Sequence, residues 1–180
     1  PMLAKSWTVS DDGLVYTFNL LTGVKFHDGT DFTSADVKYT FEANAAEGSK
    51  IKRKKRFVNM AKIETPDANT VRITLKKPRP SFLFWMGQSS AVIVGEESAA
   101  TNATKPVGTG PFKFVRWVKG DSVLMEKNAD YRDAASVKLT KVKYRFIKDQ
   151  SAQIAAMMSG DLDLIPFSRA SAGLGALQAN

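Results

Sequence analysis

Cysteine is absent from this 180-residue chain, and histidine occurs once. The first absence excludes disulfides, thiolate nucleophiles and cysteine zinc sites. The second leaves His27 as the one imidazole that a serine triad or a histidine metal site has to draw on. No apolar run approaches the roughly 18 residues a membrane helix needs. Neither a glycine-rich loop leading into a helix nor a Gly-x-Ser-x-Gly elbow is present, so phosphate-cradle and hydrolase chemistry lack their signatures. No repeat of fixed period divides the chain. The sequence opens on a proline already inside a motif, which predicts a piece of a longer protein and makes the missing export signal uninformative.

What the chain has in excess is positive charge, with a formal net of +8. Such a balance attracts anions, whether nucleic acid, an acidic membrane surface or a solute. The distribution narrows this. Lys50, Lys52, Arg53, Lys54, Lys55 and Arg56 form one run, while the other cations alternate with acids and aromatics along strand-like segments. Nucleic-acid binders add aromatics or a recognition helix to their cations, and only Phe57 is close by. A solvated loop is the plain reading of the run, and a basic nucleic-acid-binding module using residues 50–56 is the rival.

Periodicity and turn residues predict an α+β fold with a mixed, mainly antiparallel sheet and flanking helices. Ser6 to Val9 and Leu14 to Leu20 alternate around Asp12-Gly13 as a hairpin. Val24 to Phe26 is strand-like and ends in His27-Asp28-Gly29. Thr33 is a helix N-cap with Asp36 in the capping-box position, opening a helix from about Ser34 to Ala46 that Gly48 ends. Met60 to Ile63 and Thr70 to Leu75 form a second hairpin around Pro66-Asp67-Ala68-Asn69. Pro78 and Pro80 stop it, Ser81 to Gly87 reads as a short buried helix, and Ala91 to Val94 as a buried strand. Glu96 to Lys105 is irregular. Strands follow at Phe112 to Val118, Ser122 to Lys127 and Leu139 to Ile147. A helix capped by Asp149 carries Ile154, Met157 and Met158, closes at Gly160 and leads to a short strand, Leu162 to Ile165.

Candidate chemistry is sparse. Asp28 and Asp31 sit near His27, but neighbouring residues in extended chain point to opposite sides, so a structural turn histidine outweighs a ligand. Asp11-Asp12, Glu96-Glu97 and Asp161 with Asp163 fall in turns, loops or beside leucines, with no glycosidase-like pair. Trp7, Trp85 and Trp117 read as core or edge packing. Trp85 stands apart, because it precedes Gly87-Gln88-Ser89-Ser90, a polar interruption suited to a contact wall.

The segment Val107-Gly108-Thr109-Gly110-Pro111-Phe112 is the most informative in the chain. Taken with Leu3-Ala4-Lys5-Ser6-Trp7, Asp11-Asp12-Gly13-Leu14, Gly23-Val24-Lys25-Phe26-His27-Asp28-Gly29 and Gly160-Asp161-Leu162-Asp163-Leu164, it resembles the family 5 extracellular solute-binding proteins of bacterial ABC importers. Those are dipeptide, oligopeptide and nickel binders. The likeness runs from Leu3 to about Pro166 and departs at Leu21, Ala129 and Arg132. It implies part of the first lobe of a two-lobed periplasmic-binding-protein-like fold of type II with an extra subdomain. Residues 1–32 and 107–167 are then lobe I segments, 33–106 the smaller subdomain, and 168–180 the start of a truncated element.

The resemblance also implies a peptide or similar small solute and a membrane ABC permease as partners, at a periplasmic or extracellular location, with membrane association through the transporter. It implies no catalytic residue, no metal, no cofactor and no nucleic acid. Arg53, Trp85, Gln88, Ser89 and Ser90 are the candidate solute contacts, because the matching segments of the family face the solute. Bare strand edges predict self-association of the piece.

Overall fold

The computed structural model describes residues 2–166. Contacts divide the described residues into two compact units, one of residues 2–114 and 126–140, the other of 115–125 and 141–166. The element expected at 168–180 lies outside the described residues.

In the first unit, β1 (Ala4–Val9) and β2 (Val15–Leu20) pair antiparallel, with Trp7 opposite Phe18 and Val9 opposite Tyr16. The turn between them closes because the Asp12 carboxylate accepts from the Leu14 N–H, and Gly13 sits at φ 67°, a region open to glycine without strain. β2 then pairs with β4 (Thr70–Leu75), and β4 with β3 (Met60–Asp67), so the sheet order is β1-β2-β4-β3. Both expected hairpins are present, and they share one sheet. That sheet crosses the boundary expected at residue 32, so residues 2–32 and 60–75 rest on a single core.

Alternation sets the inner face: Tyr16 and Leu20 of β2 and Val71, Ile73 and Leu75 of β4 are buried. Helix α1 (Ser34–Ala45) covers it with Val37 and Phe41. Its start matches the expectation: the Thr33 hydroxyl accepts from the Ala35 N–H, and Asp36 accepts from the Thr33 N–H at 2.8 Å. Ser34 ties the helix to the β3–β4 turn, its hydroxyl donating to the Asp67 carbonyl at 2.6 Å. Removing the cap by Thr33→Ala is expected to cost about 1 kcal/mol, read as a lower urea midpoint, with most of it restored by Thr33→Ser. A loss within about 0.3 kcal/mol would mean the cap carries no stability.

α2 (Lys55–Val58) buries Phe57, and α3 (Phe82–Met86) buries Phe82 against Tyr16 at 4.5 Å between ring centres. α3 is shallower than expected, since Phe84 is 69% exposed. Ala91 to Val94 is not a strand. A single 3-10 turn spans Ser89–Ala91, and the Val94 N–H and C=O both bond to the Thr40 hydroxyl at 3.0 Å, which takes the place of a strand neighbour. Val24 to Phe26 makes only an isolated bridge, Lys25 to Asp31. Trp7 is 43% exposed, because it lies on the edge strand beyond the reach of α1.

β5 (Phe112–Val118), β6 (Ser122–Lys127) and β7 (Lys141–Arg145) form a separate sheet in the order β5-β6-β7. Bonds from the Lys127 N–H to Thr140 and from the Phe146 N–H to Asp121 place β6 and β7 antiparallel, with β7 shorter than expected. In the second unit, α4 (Gln150–Met158) is capped by the Asp149 carboxylate, which accepts from the Ala152 N–H. The strand expected at Leu162 to Ile165 is absent. The Asp161 and Leu162 N–H groups both turn back to the Ala156 carbonyl, and Leu164 is 73% exposed. Trp117 is likewise exposed rather than packed in a core.

Candidate solute-contact wall

The polar interruption after Trp85 is organised by a residue outside the expected set. Arg56, from the middle of α2, donates from one terminal nitrogen to Gln88 Oε1 at 2.6 Å and to Ser90 Oγ at 3.3 Å. Its guanidinium carbon lies 4.9 Å from the centre of the Trp85 ring, within cation–π range. Local sequence explains the direction. Phe57 is the one buried side chain of α2, and burying it against Phe41 fixes the rotation of this short helix. The residue before it is thereby turned toward the 85–90 segment.

Of the five expected contacts, Trp85, Gln88 and Ser90 converge on Arg56. Ser89 is exposed and faces the neighbouring depression. Arg53 is exposed, and its guanidinium has no partner among the described residues. Its charge acts at a distance: partial removal from water, then repulsion from Arg53, lowers the pKa of Arg56, which stays cationic at neutral pH. The basic run signalled a cation here but not which one, and the signal that could have chosen it was the phase set by Phe57.

Beside this wall lies a depression of about 330 Å³ between α1 and the 89–102 segment. Tyr39 and Asn44 line it from α1, with Ile51, Ser89, Ser90 and Val92. Among the described residues, no acidic side chain lines it. Among the described residues, the only Arg56 donors with a protein acceptor are those of one nitrogen, so three of its five N–H groups are open to an incoming acceptor. The basic run builds neither a recognition helix nor a strip of stacking aromatics. Lys54 is spent on the Glu47 carbonyl, and nothing here supports the nucleic-acid reading.

His27 has a structural role. Its ring meets the Gly110 carbonyl at 3.0 Å through Nε2 and the Gly108 N–H at 3.3 Å through Nδ1. Among the described residues, no group of three or more His, Asp or Glu side chains is placed to hold a metal ion.

A cation held in register over an aromatic face, next to a depression with hydroxyl and amide groups, can offer hydrogen bonds and charge to an anionic group. The chain belongs to the bacterial extracellular solute-binding proteins, family 5: the family model, described as family 5 Middle, matches residues 1–175. A glutathione-binding protein, GsiB, of Escherichia coli O1:K1 is 35% identical over 176 residues, covering 94% of this chain and 34% of its own length. The chain thus spans about a third of the curated relatives it matches. Among solved structures, AgaA of A. tumefacien R10, in complex with agropinic acid, aligns at TM-score 0.85 and 38% identity, over 91% of this chain and 34% of that one. DppA of Helicobacter pylori, in complex with the peptide STSA, aligns at 0.78 and 33%, over 90% and 36%. The mixed fold with antiparallel sheets is that of these binding proteins.

Proposed function

We propose that this chain is part of a receptor that captures a small acidic solute, a peptide or an organic acid, for a membrane ABC permease, and that Arg56, Trp85, Gln88, Ser89 and Ser90 contribute to the solute contact. The observation that carries this reading is Arg56, positioned by two hydrogen bonds and an aromatic face yet with donors to spare and, among the described residues, no carboxylate partner. A guanidinium fork matches a carboxylate in geometry as well as charge. The solutes of these relatives point the same way, since glutathione, agropinic acid and a free peptide all carry carboxylates.

In this reading the smaller subdomain starts at the first hairpin and not at residue 33, which the sheet shared by both hairpins supports, and 107–167 is a first-lobe segment. Capture proceeds by closure of a second lobe over the solute, and the closed form is what the permease recognises, outside the cytoplasm. No covalent step is required. Bare edges at β1 and β3 favour self-association where nothing covers them.

Native mass spectrometry of the protein purified from its own host tests the reading. The expected result is a retained acidic molecule of a few hundred daltons, displaced by added glutathione, agropinic acid or the peptide STSA. Protein that carries nothing and shows no mass shift with any of the three would overturn it.

A further inference from the structure

The sole histidine joins two segments that are about eighty residues apart in sequence, and it does so with its backbone N–H and both ring nitrogens. The His27 N–H donates to the Gly108 carbonyl at 2.8 Å, the Gly108 N–H donates back to ring Nδ1 at 3.3 Å, and ring Nε2 reaches the Gly110 carbonyl at 3.0 Å. Only one protonation state satisfies all three contacts: neutral imidazole with its hydrogen on Nε2 and a bare Nδ1. Around the ring, Gly110 is also held by Asn128, whose amide donates to the same carbonyl at 3.2 Å and which is 2% exposed. On the other side, Asp28 is occupied by Thr30, and Gly29 turns the chain back at φ 92°. The clasp therefore fastens the 24–31 loop to the Val107–Pro111 crossover, the stretch through which the chain enters β5.

We propose that His27 is an acid-sensitive latch on this crossover: neutral, it pins Gly108 and Gly110 to the 24–31 loop, and protonation at Nδ1 sets two donors against each other and releases the Gly108 end. The Gly110 end persists, because Nε2–H still donates. The charged groups that face the ring oppose one another. Lys113 of β5 disfavours the cation and Asp28 favours it, while Asp130 holds Lys113 at 3.2 Å. Half-burial, the largest influence, lowers the pKa of His27 below its ordinary 6.5. The sign follows: the clasp is intact above about pH 6.5 and is lost as the pH falls through the window beneath it.

Imidazole NMR and amide hydrogen exchange on the whole chain test this. At pH 7.5 the expected tautomer is Nε2–H. As His27 titrates, the Gly108 amide is expected to lose about tenfold in protection factor, while the Ile73 amide in β4 keeps its own. Lys113→Gln is expected to move the Gly108 transition to higher pH together with the imidazole titration, without disturbing the fold. An Nδ1–H tautomer at pH 7.5 would overturn the proposal. So would Gly108 protection that stays constant while the ring titrates, or that falls together with Ile73 in global unfolding.

Discussion

Truncation of Phe57 to alanine is expected to cost about 3–5 kcal/mol, the range for emptying a buried phenylalanine site. The ring is 1% exposed and lies 5.6 Å from Phe41, so it bridges the α1 layer and the sheet beneath it. It is also the one buried residue of α2, a helix of four residues that cannot persist on backbone bonds alone. The site therefore has little means to collapse around the void. A domain of this size is stabilised by roughly 5–15 kcal/mol, so the loss takes a large share of the total. Urea unfolding is expected to show a lower midpoint with an unchanged slope. Val58→Ala, one residue on and 42% exposed, is the control and is expected to stay within about 0.5 kcal/mol. Equal losses at the two positions would mean that α2 is not anchored through Phe57. Because the same anchor aims Arg56, Phe57→Ala is also expected to shift Trp85 emission to the red in a background where Trp7 and Trp117 are phenylalanine.

Elements whose local signals agreed with their surroundings were legible in the sequence. The Thr33–Asp36 capping box, both hairpins of the first sheet and the strands β5 and β6 were readable because local signals and their surroundings pointed the same way at each. The failures have a common cause in partners that are distant in sequence. Ala91 to Val94 has the composition of a strand, but a threonine 54 residues away binds both polar groups of Val94. Leu162 to Ile165 has it too, but helix α4 draws its first residues back onto Ala156. Trp7 alternates correctly and shares the core-facing side with Phe18, yet an edge position leaves it exposed. The site was legible as a segment and not as a constellation. Composition marked Trp85 to Ser90 and the basic run separately, and the hydrogen bond that joins them spans 32 residues. Periodicity carries no information on such pairings, and in a run of six cations only burial of the neighbouring phenylalanine singles out Arg56 over Arg53.

Replacing Arg56 by methionine is expected to weaken binding of an acidic solute at least tenfold while leaving the fold nearly as stable. Hydrogen bonds to a charged group contribute about 1.5–3 kcal/mol each, and a factor of ten is about 1.4 kcal/mol, so the loss of one such bond suffices. The methionine stem keeps the packing on Trp85, and the Gln88 and Ser90 oxygens it leaves behind are half-buried and can turn to water. Arg56→Lys separates charge from geometry. An ammonium keeps the attraction but not the fork that grips Gln88, Ser90 and a carboxylate together, so an intermediate affinity with a steeper salt dependence is expected. The measurement is calorimetric titration of whichever of glutathione, agropinic acid or the peptide STSA the unaltered protein binds, set beside a thermal melt of each variant. Unchanged affinity in Arg56→Met would remove this wall from the solute site. An equal fall for that solute and for its uncharged ester would show that Arg56 supports the wall and does not touch the acid. Selective loss for the acid, with the ester bound as before, is the outcome that the open donors of Arg56 and the acid-free depression beside it lead us to expect.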